Sequence, residues 1–151
     1  MPPTDMTPEE IKASIRQSFA EFNERNLAAQ LERNAPNLVV HNLATGAEIR
    51  SLEAYRKSQD ELLASFPDLQ RSIDDIIVEG DKAFVRQTYT GTHTGKLGAA
   101  AGNLAPTGKK LTWDGFAVLR YEGNKVAEIW TMQNRLSFYQ QLGITPTPDM
   151  K

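Results

Sequence analysis

Apolar residues recur along this chain first at helical spacing and then, past residue 66, in strict alternation. Ile11, Ile15, Phe19 and Phe22 fall on one stripe of a helix. Thr7-Pro8-Glu9-Glu10 supplies its start: Thr7 caps, Pro8 fits the first helical position, and Glu10 completes a capping box. Asn26 caps a second short helix carrying Leu27 and Leu31. "NLVVHN" (37–42) reads as a short strand and "LATGAE" (43–48) as a loop. Ser51 opens a third helix with Leu52, Tyr55, Leu62 and Leu63 roughly on one side. Pro67 stops it, because the residue before a proline is disfavoured in helix.

The alternating part predicts four strands: Leu69–Glu79, Lys82–Thr94, Leu111–Tyr121 and Val126–Met132. Gly80-Asp81 and Gly123-Asn124 suit two-residue hairpin turns. The middle link, 96–110, is long, aperiodic and rich in small residues, and a loop of that length in a small domain is expected to act at the site, closing over a pocket. A last helix, Arg135–Leu142, ends at Gly143, which suits the position just past a helix. Residues 1–6 and the tail 144–151 carry no pattern and are expected to be loose. Helices segregated from an antiparallel meander make an α+β fold in one domain spanning 1–151, with the sheet curved around the helices and a pocket between them.

Composition narrows the function classes. The 151 residues contain no cysteine, so thiolate nucleophiles, disulfides and Cys-ligated zinc are excluded. A net charge of -2, with Lys and Arg scattered, gives no electrostatic case for nucleic acid. No apolar run suits a membrane span, and the first residues lack the basic and apolar regions of a signal peptide. A cytoplasmic location is therefore the expectation.

Several short stretches, taken in order, resemble one family. They are Phe66-Pro67-Asp68, Glu79-Gly80-Asp81, Gly91-Thr92-His93-Thr94-Gly95, Pro106-Thr107-Gly108-Lys109, Glu128 with Trp130, and Gln141-Leu142-Gly143. Together they span 66–143 and resemble the SnoaL-like polyketide cyclases, or ester cyclases, of the nuclear transport factor 2 superfamily. The resemblance implies a cone-shaped α+β fold, homodimerisation through the outer sheet face, and an enzyme without metal or cofactor. It implies intramolecular aldol closure of a polyketide ester, with an acidic residue moving the proton. That acid tends to follow the tryptophan by four residues, and here the position is Asn134, an amide that cannot be a base.

Other residues can then take the proton-transfer role. His93 is the first candidate, at a strand end and with a near-neutral pKa, and His41 is the second. Both have structural alternatives, and two histidines are too few to argue a metal site. Asp114 becomes a base if its face of the strand looks inward, and a solvated charge if it looks outward. Asn134 can donate to an oxyanion, or simply cap the last helix. Trp113, Trp130, Tyr89, Phe116, Met132 and Phe66 are candidates for an apolar wall, and Arg86 or, on the opposite face, Gln87 for a polar group inside. Asp68 is expected to tie down backbone amides and Glu128 to pair across the sheet with Arg120. Two readings stay open: an acid/base enzyme acting on an apolar carbonyl compound, a cyclase, isomerase or dehydratase; or a pocket that binds without converting. A pure protein-interaction module is a third.

Overall fold

A computed structural model describes residues 4–97 and 104–144. The expected loose ends and the middle of the 96–110 loop lie largely outside the described residues. In chain order the elements are α1 (Pro8–Asn23), α2 (Leu27–Glu32), β1 (Asn34–Asn42), β2 (Glu48–Ile49), α3 (Leu52–Ser65), β3 (Gln70–Glu79), β4 (Lys82–Thr92), β5 (Lys110–Glu122), β6 (Lys125–Gln133) and α4 (Arg135–Leu142). This is the α+β architecture expected: helices set against a curved, unclosed sheet of order β2-β1-β6-β5-β4-β3.

The capping residues act as their chemistry dictates. Thr7 and Glu10 close a reciprocal capping box, and Asn26, Ser51 and Asn134 each accept from a backbone amide in the first turn of α2, α3 and α4. Two features differ from the sequence reading. The sheet is mixed rather than purely antiparallel, because β1 runs parallel to β6, with Val40 opposite Ile129 and His41 opposite Trp130. Local periodicity carries no information about the partner of a distant strand. Part of the expected loop 43–48 also folds back: Glu48 pairs with His41 and Ile49 with Val40, making the edge strand β2.

Alternation decides the two faces of the sheet. Ala83, Val85, Gln87 and Tyr89 of β4 are buried on the inner face, as are Leu111, Trp113 and Ala117 of β5. Two apolar clusters fill the cone. One gathers Phe22, Phe66, Leu69, Trp113 and Tyr139; the other gathers Ile11, Ile15, Leu38, Val85 and Tyr121. Full burial of such a side chain is worth about 1.5–3 kcal/mol.

The end of α1 is fastened to the start of β3 by side chains acting as backbone. Asn23 accepts from the Arg71 amide and donates to the Arg71 carbonyl, both at 2.8 Å. Arg25, held at φ 65, sends its guanidinium to the carbonyls of Phe22, Pro67 and Leu69. This clamp fixes β3 where it enters the sheet. Asn23→Ala breaks both bonds to Arg71, and chemical denaturation should show a loss of about 1–3 kcal/mol. An unchanged midpoint would contradict the clamp.

Candidate functional site

Between the helices and the inner face of the sheet lies a cavity of about 450 Å³, within the range of small-molecule sites. Its apolar wall comes from Phe19 and Phe22 of α1, Leu62 of α3, Val85 of β4, and Leu119 and Ile129 of β5 and β6. Its polar groups are uncharged or cationic. Tyr55, Gln59, Gln87, Tyr89 and Gln133 line it together with Arg33, Arg71 and Arg135. Among the described residues no Asp, Glu or His lines it.

The three arginines are not equivalent. Arg33 is neutralised by Glu21, which takes Nε at 2.7 Å and Nη2 at 2.9 Å, and this pairing holds the Glu21 carboxyl below its usual pKa. Arg71 has no carboxylate partner among the described residues. Its guanidinium lies 4.2 Å from the Phe19 ring centroid, 4.9 Å from Phe22 and 5.4 Å from Tyr89. Nε and Nη2 donate to Gln87 Oε1 at 3.3 and 2.9 Å. Among the described residues Arg135 likewise meets a phenol and no carboxylate, with Tyr139 Oη at 2.7 Å.

Several cavity groups hold spare hydrogen-bonding capacity. Gln30 and Gln59, 3% and 7% exposed, each leave the side-chain carbonyl without a partner among the described residues. Buried acceptors are normally satisfied, so these are poised for a guest or for water. Burial pushes the Tyr55 phenol above its ordinary pKa, against smaller opposing effects of Arg71 and of the Gln59 amide. Trp113 Nε1 donates to Gln133 Oε1 at 3.0 Å, and Gln133 Nε2 reaches Tyr89 Oη at 3.5 Å. Trp113 and Tyr89 stack face to face, 5.2 Å between centroids.

The residues singled out from sequence are scattered by this geometry. Tyr89 lines the cavity. Trp113 and Phe66 are buried behind it in the aromatic cluster. His41, Trp130, Phe116, Met132, Arg86 and Asp114 belong to the opposite, outer face, because each is one residue out of phase with the inward set. There His41 stacks on Trp130 and bonds Glu128 at 2.6 Å, while Arg120 Nε binds the same carboxylate at 3.2 Å. Arg86 faces Asp74 at 3.9 Å. Asn134 is exposed, one step beyond the end of β6: its Oδ1 caps α4 through the Ser137 amide, and its Nδ2 meets Asp114 at 3.2 Å.

His93 is fully buried and lies outside the cavity wall. Its Nδ1 accepts from the Thr107 amide at 3.1 Å and faces Thr107 Oγ1 at 2.9 Å, while Nε2 has no hydrogen-bond partner among the described residues. The surrounding motif explains itself sterically. A Cβ on Gly91 would lie 3.1 Å from Phe66 and Leu69 side chains, and one on Gly95 would lie 1.7 Å from the Ala64 carbonyl. Asp68 completes the junction by accepting from the Thr92 amide at 2.7 Å and hydroxyl at 2.8 Å. The described flanks of the 96–110 loop meet here too, with the Leu97 amide on the Leu104 carbonyl and both side chains against the aromatic cluster. Gln141 ties α4 to β5 through both backbone groups of Thr112.

Arg71 is not among the site residues proposed from sequence, and Gln87 stands there only as the alternative to Arg86. Strict alternation puts Arg71 in one row with Leu69 and Ile73 but continues that row into Asp75 and Glu79, so no sequence signal singles it out. Gln87 follows once Val85 and Tyr89 are taken as inward.

A family model described as SnoaL-like polyketide cyclase matches residues 13–142. Among solved structures, AclR, a proposed hydroxylase from Streptomyces galilaeus, is similar with TM-score 0.82 at 28% identity, over 93% of this chain and 89% of that one. IdmH, a proposed polyketide cyclase from Streptomyces antibioticus, gives 0.76 at 25% identity, over 88% and 98%. A proposed polyketide cyclase from Acidithiobacillus ferrooxidans gives 0.76 at 27%, over 91% and 98%. These neighbours have the nuclear transport factor 2-like fold. No curated protein sequence matches the chain, and no described helix is long and apolar enough to cross a membrane.

Burial lowers the His93 pKa below its ordinary value. The folded protein therefore resists protonation that the unfolded chain accepts near pH 6.5. Stability should be level above that pH and fall as pH drops toward the depressed folded value. His93→Gln should flatten this acid slope in melting temperature against pH. His93→Ala should cost about 1–3 kcal/mol at pH 8, because the Thr107 amide loses its acceptor. A His93→Ala variant with wild-type stability would contradict the anchoring role.

Proposed function

The chain belongs to the SnoaL-like polyketide cyclase family, and from that premise we propose that it is a cofactor-free enzyme acting by acid/base chemistry on an apolar, carbonyl-bearing small molecule. The cavity carries this reading: an apolar enclosure with a polar cluster of Arg71, Gln87, Tyr55 and Tyr89 on one wall. A substrate carbonyl set against that cluster receives hydrogen bonds and positive charge where an enolate oxygen develops. A carbon between two carbonyls then gives up its proton to water in the cavity. Tyr55, whose phenol burial pushes above its ordinary pKa, supplies a proton to the alkoxide formed by ring closure and regains one from that protonated water. The same enolate serves a cyclase, an isomerase or a dehydratase. Proton transfer is thus assigned to the inner face, and Asn134 keeps its capping role.

A second reading, binding without conversion, is favoured by one observation: among the described residues no carboxylate or imidazole lines the cavity. Hydrogen exchange separates the two without knowledge of the natural substrate. With 2-tetralone in heavy water, the enzyme reading expects faster exchange of the hydrogens next to the carbonyl than in buffer. Tyr55→Phe should lower that excess by about tenfold or more while the ketone still binds. Binding with exchange at the buffer rate would support the second reading.

We also propose a homodimer formed through the outer sheet face. Its support is an apolar row crossing four strands, Ile77, Phe84, Val118 and Trp130, with Ile77 56% and neighbouring Phe116 40% exposed. Sedimentation should give a dimer for the wild type and a monomer for the Ile77→Glu/Phe116→Glu double variant. A wild-type monomer would contradict the interface.

A further inference from the structure

Arg71 is a cation inside an apolar cone, and the protein provides it with no anion among the described residues. Elsewhere the same chain shows what neutralisation looks like, in the two-point Arg33–Glu21 pair. The Arg71 guanidinium is stacked on aromatic rings and spends two of its three nitrogens on Gln87 Oε1. Nη1 has no acceptor among the described residues. Since a guanidinium only donates, Gln87 must turn its oxygen to Arg71 and its NH2 group away. Gln87 is 2% exposed, so that NH2 lies within the enclosed interior. A half-buried charge without a counterion is costly to fold around, and an anion arriving from outside relieves that cost.

We propose that the ligand of this cavity is an amphiphilic organic anion, a fused-ring body bearing a carboxylate or an ionised enol, whose oxygen is bound by Arg71 with Gln87 beside it. This rests on the small-molecule reading above and makes it more specific. Phe19 and Phe22, which hold the guanidinium from α1, also form apolar wall, so one surface grips the rings while Arg71 grips the charge. The absence of carboxylates among the described lining residues follows the same logic, since each would repel such a ligand.

The test compares charged probes with their neutral methyl derivatives by titration calorimetry. One pair is 2-naphthoate and methyl 2-naphthoate. The other is the anion of 2-hydroxy-1,4-naphthoquinone and its 2-methoxy ether. In the wild type the anion of at least one pair should bind about tenfold or more tightly than its neutral partner, and the pair that shows this identifies the oxyanion as carboxylate or enolate. Arg71→Met should abolish the preference, weakening the anion far more than its neutral partner. Arg71→Lys should keep part of it. Equal binding of anion and neutral partner in both pairs of the wild type overturns the inference alone, and that arm requires no variant to fold. A preference that survives Arg71→Met also overturns it. Binding of none of the four probes overturns the small-molecule reading and this inference together.

Discussion

A guanidinium held without a carboxylate among the described residues is the constraint around which the cone is arranged. Arg71 enters from β3, is stacked by Phe19 and Phe22 of α1, and is pinned by Gln87 of β4. Its own backbone is clamped by Asn23 at the end of α1. One residue therefore joins a helix and two strands to the cavity wall. A lysine cannot reproduce this, because the planar fork both stacks and bonds at two points. The cationic character of the cavity and the anionic guest proposed for it both follow from that placement.

The second determinant is the period of the sheet. Side chains on β4, β5 and β6 alternate between a cavity and an outer surface, so a shift of one residue exchanges chemistry for contact. Gln87 and Tyr89 face in while Arg86 faces out; Trp113 and Ala117 face in while Asp114 and Phe116 face out. The outer face has its own order, with His41 stacked on Trp130 and joined to Glu128 and Arg120. These groups brace the strands where β1 meets β6, far in connectivity from the inner wall.

Much of the fold was legible in the sequence. Thr7, Asn26, Ser51 and Asn134 announce their helices by hydrogen-bond chemistry that is local, and all four cap as expected. Strand limits agree to within one or two residues, apart from β1, which begins earlier, at Asn34. The parallel β1–β6 pairing was not legible, since it joins segments more than eighty residues apart, Val40 with Ile129 for one. The site was less legible than the fold for the same physical reason. Alternation says which residues share a face, and only the packing of α1 and α3 says which face is inside. Histidines and acids attract attention because of their pKa values, whereas the cavity's polar cluster is built on a guanidinium and an amide. His93 illustrates the converse: its motif is specific because two glycines and a buried imidazole let a strand end press against the Phe66–Asp68 turn.

The central claim is that the cavity stabilises negative charge on its guest. The most direct measurement is the ionisation of a bound acid, 2-naphthoic acid labelled with carbon-13 at its carboxyl, followed by NMR across a pH titration of the complex. A guest held by Arg71 should ionise at a lower pH when bound than when free, because the cation favours the carboxylate. A bound pKa above the free value would mean that the cone desolvates its guest without compensating the charge, and would contradict the account.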